Sequence, residues 1–260
     1  MVNIPPTRRV LDFLATATST GTETSLEDLF EIFELPREEA TLTRVMWTAE
    51  LLEGLGLTLI PDLRRGALDS VRRVLPRNPR HITSDVAQSE IEKRESSNLE
   101  LKSSLMYNHA RALSNPDTAV ADLRSDEVVH SALKSVAAFL TTGGGILYVG
   151  ISDDCKAVGI EFDFRLLNPE KQNEDGWELQ FRNLVKGNFK DDDNINDYLR
   201  ADFLKVNGLS VSRIEIGPRR KLSFLKFKGS YHLFRRQGNR TEEVTIEQVE
   251  EFLALREVAS

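Results

Sequence analysis

Apolar positions recur at helical spacing three times near the start of the chain. Val10, Leu11, Phe13 and Leu14 follow Pro5-Pro6. Leu26, Leu29, Phe30 and Phe33 follow Thr24-Ser25, a pair suited to capping a helix. Leu42, Val45, Met46, Ala49, Leu52 and Leu55 form the third pattern, which Gly54 and Gly56 end. An extended stretch, Leu57–Ile60, comes next, followed by Pro61 and Arg64-Arg65-Gly66.

Three short helices and a strand suit a small winged-helix or helical accessory domain, which we place at 1–84. Arg64, Arg65, Arg72, Arg73, Arg77 and Arg80 make its C-terminal edge basic. No strong DNA-reading signature accompanies them, so a packing or dimerisation module fits equally well. Pro76–Ser89 has prolines and polar residues without periodicity and reads as a linker. A second domain is expected over 85–260.

In that second domain, Leu99-Glu100-Leu101-Lys102 alternates as a half-buried strand does. Residues 110–124 read as a loop around Asn115-Pro116-Asp117. Val129, Leu133, Val136, Ala137 and Leu140 predict a helix capped by Ser125 and stopped by Gly143-Gly144-Gly145. Residues 146–151 predict a buried strand, paired as a hairpin with 157–160. A helix is expected around Trp177–Lys186, strands at 209–216, 221–228 and 230–235, and a closing helix from Ile246. Thr245 and Gln248 suit a capping box for that last helix. Strands mixed with a few helices indicate an α+β fold whose sheet is largely antiparallel or mixed.

Composition narrows this picture. The single cysteine, Cys155, excludes an intrachain disulfide framework and a cysteine-based zinc site. No apolar run is long enough for a transmembrane helix, and the N-terminal patch is interrupted by Asp12, so a cytoplasmic location is expected. The net charge of −7 argues against a generic nucleic-acid binder, but the charge is polarised. Between Arg213 and Arg240 there are nine cations (Arg213, Arg219, Arg220, Lys221, Lys226, Lys228, Arg235, Arg236, Arg240) and one acid, Glu215. The ordinary reading is a solvated strand face. The functional one is a phosphate-backbone contact surface in which Tyr231, His232 and Phe234 stack on bases.

The chemistry-bearing cluster is Glu95-Ser-Ser-Asn-Leu-Glu100-Leu-Lys102. On a strand, Glu100 and Lys102 share a face, and the Ser-Ser-Asn lead-in can turn Glu95 back over it. Asp153-Asp154 follows a glycine-rich turn about fifty residues later. Three carboxylates brought together can hold Mg or Mn, which polarises a phosphate and lowers the pKa of a bound water. Lys102 would neutralise phosphate charge. Without convergence, the same residues are an exposed strand face. The glycines lack the Gly-Lys-Ser/Thr ending of a P-loop, so ATP binding is poorly supported. His81, His109, His130 and His232 lack metal-ligand spacing, and Asp191–Asp193 reads as a solvated acidic loop.

Taken in order, Glu95-x4-Glu100-x-Lys102, the stretch from Lys134 through Gly143-Gly144-Gly145 to Asp153-Asp154, and Phe234-Arg-Arg-Gln-Gly-Asn-Arg-Thr241 resemble the Schlafen-type AlbA-like domain over roughly 90–256. The resemblance implies nucleic-acid binding and, where the carboxylates are complete, metal-dependent endoribonuclease activity on tRNA or other structured RNA. It assigns Glu95, Glu100 and Asp153 to the metal, with Asp154 competing for the third place, and Lys102 to phosphate. The chain departs from the family pattern in a long insert after Lys102. It has one lobe where animal Schlafens have two, which suggests a homodimer. Two other readings stand beside this one: a noncatalytic DNA- or RNA-binding regulator, and a nucleotide-sensing or interaction module of a defence system.

Overall fold

The computed structural model describes residues 8–19, 22–55, 57–60, 72–76, 84–190 and 194–258. The arginines at 64, 65, 77 and 80, His81 and Asp191–Asp193 lie outside these residues, as do the side chains of Arg72 and Arg73. The chain divides into two compact units, Met1–Ile82 and Thr83–Ser260.

The first unit runs α1 (Arg8–Ser19), β1 (Thr22–Thr24), α2 (Leu26–Ile32), α3 (Thr41–Gly54), β2 (Leu57–Ile60) and β3 (Arg72–Pro76). Its strands form an antiparallel sheet in the order β1-β3-β2, an arrangement of winged-helix type. Ser25 caps α2: its hydroxyl accepts from the Asp28 N–H, and the Asp28 carboxylate accepts from the Ser25 N–H. Such a cap is worth about 1 kcal/mol. Phe13, Leu29, Phe30, Leu52 and Val74 fill the core. The third helix differs from expectation in its facing. Leu42 and Met46 are 71% and 57% exposed, while Thr48 and Leu52 are buried. Apolar residues cover more than one side of α3, so periodicity alone does not choose the inward side.

The second unit begins with α4 (Ser84–Glu92), where the sequence suggested the linker would continue to Ser89. The order continues with β4 (Leu99–Lys102), α5 (His109–Ser114), α6 (Asp126–Thr141), β5 (Gly145–Val149), α7 (Glu161–Phe164), α8 (Glu174–Asn188), β6 (Leu199–Val206) and β7 (Leu209–Ile216). It ends with β8 (Phe224–Phe227), β9 (Ser230–Gln237), β10 (Arg240–Glu243) and α9 (Val249–Val258). The main sheet has the order β4-β5-β7-β6, with β4 parallel to β5 and the other pairs antiparallel. A separate antiparallel sheet has the order β10-β9-β8. The architecture is α+β with a mixed sheet and flanking helices.

Alternation along the main sheet separates two faces. Leu147 and Ile214 are cross-strand partners in an apolar core with Phe139 of α6 and with Trp177 and Phe181 of α8. The opposite face carries the Tyr148–Arg213 pair, both bonded to Glu90 of α4. The turn into β5 needs its glycines. Gly144 has φ +74°, and a Cβ on Gly145 would lie 2.5 Å from the Phe139 ring.

Several local expectations change. The segment expected as a loop contains α5, because the Asn108 side chain caps it by accepting from the Arg111 N–H. Residues 157–160 do not form a hairpin strand with β5. The Val158 and Gly159 N–H groups both bond the Gly150 carbonyl, and only an isolated bridge joins Ile151 to Ala157. The edges of β5 pair instead with β4 and β7. Strands β6 and β10 were not anticipated, and α8 starts three residues early on an Asn173 cap.

Candidate nucleic-acid interface

Glu100 lies on β4 opposite Leu147, so alternation turns its side chain toward α6. It is only 7% exposed. Its Oε1 accepts from Lys102 Nζ at 2.5 Å and from Ser135 Oγ of α6 at 3.2 Å. Its Oε2 accepts from Arg236 Nη1 on β9. The same guanidinium donates to the Ser96 carbonyl at 2.7 Å, the Leu99 carbonyl at 3.0 Å and Thr241 Oγ1 at 3.0 Å. A buried carboxylate must be paired and hydrogen-bonded, and Glu100 is both.

Glu95 turns back as expected. A Ser96–Leu99 bridge tightens the lead-in, and Glu95 Oε1 accepts from the Leu101 N–H at 3.3 Å. Asp153 stands apart as an exposed residue of the 152–156 turn, where neighbouring Asp154 makes a surface contact of 3.8 Å to Lys156. Among the described residues, no three carboxylate, histidine or cysteine side chains come together to hold a metal ion. The donor chemistry also opposes one. Glu100 already faces two cations, and a divalent ion there would meet both charges. The residues present do not fit the Mg or Mn site expected at Glu95, Glu100 and Asp153. Lys102 is committed to Glu100 and is not held out toward a phosphate.

A buried carboxylate that the sequence reading missed has a structural task. Asp163 of α7 accepts from Ser104 Oγ, from the N–H groups of Leu105, Met106 and Tyr107, and from Trp177 Nε1. It thereby fixes the chain leaving β4. The sequence held one hint: Asp163 falls among apolar residues, Ile160, Phe162 and Phe164.

The nine cations divide sharply. Arg213 is 6% exposed and pairs with Glu90 at 2.9 Å and Glu215 at 3.5 Å. Arg219 is buried, donates to Ser223 Oγ and lies over the Tyr198 ring. Arg236 is buried against Glu100. These three are interior cations, and burial removes them from the expected phosphate-contact surface. Arg235 is half-buried and pairs with Glu242 at 3.5 Å. Arg220, Lys221, Lys226, Lys228 and Arg240 are exposed.

Burial would raise the Glu90 carboxyl, but the bond to and charge of Arg213, aided by Tyr148, hold it below the usual carboxylate range. Burial also pushes the Tyr148 phenol far above its usual value and keeps it neutral.

The aromatic side chains divide too. Phe234 is buried with Lys134 of α6 over its ring, and His232 is half-buried with Nδ1 2.7 Å from Glu243 Oε1. His130 of α6 stacks on Phe227 with centroids 3.7 Å apart. Burial, then the charge of Lys134, pushes His130 below its ordinary pKa. Tyr231 alone of the three expected stacking residues projects outward, 51% exposed.

The sequence model described as "Schlafen, AlbA_2" matches residues 95–245, more than half of the chain. This chain belongs to the Schlafen AlbA_2 family. The matched span opens at Glu95 and closes just after β10, so it contains both the Glu100 pocket and the basic hairpin. Family membership indicates a nucleic-acid-binding or nuclease-like role. No curated protein matches the chain. Among solved structures, the crystal structure of the DIP2311 protein from Corynebacterium diphtheriae is similar at 18% identity and a TM-score of 0.39, covering 62% of this chain and 30% of that one. The chain thus spans under a third of that structure's length. Outside the family span, α3 presents Leu42 and Met46 to solvent, and its partly buried Arg44 lies over the Phe30 ring. Among the described residues, no helix is long and apolar enough to cross a membrane.

Proposed function

We propose that this Schlafen AlbA_2 protein binds nucleic acid through the exposed cations of its C-terminal sheet and does not cleave it. One observation carries the reading: Glu100, the centre of the acidic cluster, is buried and paired with two cations while Lys226, Lys228 and Arg240 stay at the surface. Glu100 is already engaged by Arg236 and Lys102, and those two charges oppose a divalent ion beside it. The exposed cations supply the sequence-independent attraction that phosphate backbones require. The overall charge of −7 then limits nonspecific association away from this surface.

Two measurements test this. Binding of labelled RNA and DNA is titrated across salt concentrations, with a steep fall in affinity expected as salt rises. The protein is also incubated with tRNA and Mg²⁺ or Mn²⁺. Intact tRNA is the expected result. A cut product that disappears in Glu100→Gln would replace this reading with the metal-dependent endoribonuclease. The homodimer expected from the single lobe belongs to the same proposal, and light scattering measures it directly.

A further inference from the structure

Resting on that nucleic-acid reading, we propose that Tyr231 is a stacking platform for an unpaired base. The ligand is then single-stranded nucleic acid, or a single-stranded part of a folded one. The argument starts from the register of the small sheet. Tyr231 on β9 lies directly opposite Lys226 on β8, so the two side chains share a face. The chain entering from α8 joins the outer edge of β8: Phe189 bridges Leu225, and the Lys190 N–H donates to the Phe224 carbonyl at 2.9 Å. That places Lys190 Nζ 5.6 Å from the Tyr231 ring centroid, within cation–π reach.

The neighbouring apolar residues of this face are already covered. Leu233 packs with Val244 and Phe252, and Phe224 packs against the same cluster. Tyr231 lies beyond that cover. Its exposed ring is therefore not a remnant of the core but a flat apolar surface with an ammonium group on the next strand.

That pairing suits a nucleotide whose base is free. A base stacks on the ring, and its phosphate reaches Lys226 across the hairpin. Beyond Lys190 the chain continues into Asp191-Asp192-Asp193, so the phosphate contact is assigned to Lys226 and the ring contact to Lys190. A duplex keeps its bases stacked on one another and can use only the lysines. The platform thus adds affinity for unpaired strands alone.

The test is fluorescence anisotropy with a short labelled oligonucleotide. It is run as single-stranded RNA, as single-stranded DNA, as the duplex, and with abasic sites that keep the phosphates. Tyr231→Ala should weaken binding of both single strands about tenfold and leave the duplex and the abasic strand unchanged. Tyr231→Phe should bind as the parent does. Because the ring is half-exposed, these variants should keep the parent's unfolding midpoint. A Tyr231→Ala protein that binds single strands normally, while Lys226→Glu weakens every ligand, would overturn the platform and leave the nucleic-acid reading standing. No binding of any of the four ligands by the parent protein would overturn both.

Discussion

Strand β9 carries two regions of opposite character. Near its start, Tyr231 stands in solvent beside Lys226 and Lys190. Near its end, Arg236 is sealed against Glu100 and three further acceptors. Both regions are basic in sequence, yet one cation surface is open and the other is spent inside the protein. What decides is the opposing group. Arg236 meets a buried carboxylate and the carbonyls of the β4 turn, whereas Lys226 is exposed and paired in register with an exposed tyrosine. A cation-rich segment therefore predicts a binding surface only after its interior members are subtracted.

The largest expected effect breaks the closed region. Arg236→Met strips Glu100 of its buried partner and should lower stability by about 3–5 kcal/mol, read from urea unfolding. Arg236→Lys should recover only part of that, because one ammonium cannot span Ser96, Leu99 and Glu100 together. Parent-like unfolding of Arg236→Met would mean that Glu100 does not depend on this pair.

Asp163→Ala should cost somewhat less, about 2–3 kcal/mol, by leaving the buried Leu105 N–H and Trp177 Nε1 without their carboxylate acceptor and the Met106 and Tyr107 N–H groups with Ser104 Oγ alone. Nucleic-acid affinity at low denaturant should not follow that loss.

The open region responds in the opposite sense. The double variant Lys226→Glu/Lys228→Glu should keep the unfolding midpoint and lose about tenfold in affinity. Its log-affinity against log-salt slope should become shallower by about two, one for each lost phosphate contact. An unchanged slope would remove both lysines from the interface.

A smaller effect concerns pH and the ionic face of the main sheet. Arg213 holds the Glu90 carboxyl below its ordinary value of 4.5, so the folded state binds this proton less readily than the unfolded chain. The resulting stability is present above about pH 4.5 and is lost as pH falls through the lower folded-state value. Unfolding midpoints of the parent and Glu90→Gln should differ near neutrality and converge in acid. A constant gap down the whole range would show that Glu90 contributes by packing alone. Smallest of all, Asp153→Ala should change stability by less than about 0.5 kcal/mol, since its side chain is exposed.

The sequence made some of this legible and hid the rest for physical reasons. Strand β7, helix α6 and the Thr245–Gln248 capping box follow from local pattern, because burial or hydrogen bonding repeats within a few residues. Strand β10, Arg-Thr-Glu-Glu, has no apolar residue and exists because β9 offers it an edge. The parallel β4–β5 pair leaves no mark in local spacing, which is why residues 157–160 seemed the natural partner for β5. Alternation correctly implies that Arg235 and Arg236 point to opposite faces. It cannot say which face holds a carboxylate contributed by a distant strand. Glu95 turns back only as far as the Leu101 N–H of β4, and Asp153 is carried away by the turn after Gly150.

The clamp formed by Arg236 also has a consequence for the order in which the protein assembles. Its bond to Glu100 joins positions 136 apart in the chain, and its bond to the Ser96 carbonyl spans 140. Contacts of such separation form slowly, because a long loop must close before they contribute anything. During synthesis, β4 leaves the ribosome well before Arg236, the second of the two cations that pair with Glu100. Until Arg236 emerges, Glu100 has Lys102 but lacks its second cationic partner, so the β4 edge of the main sheet is expected to seal last. A nascent chain stopped before Arg236 should therefore resist proteolysis less well at residues 95–102 than one carried through β10.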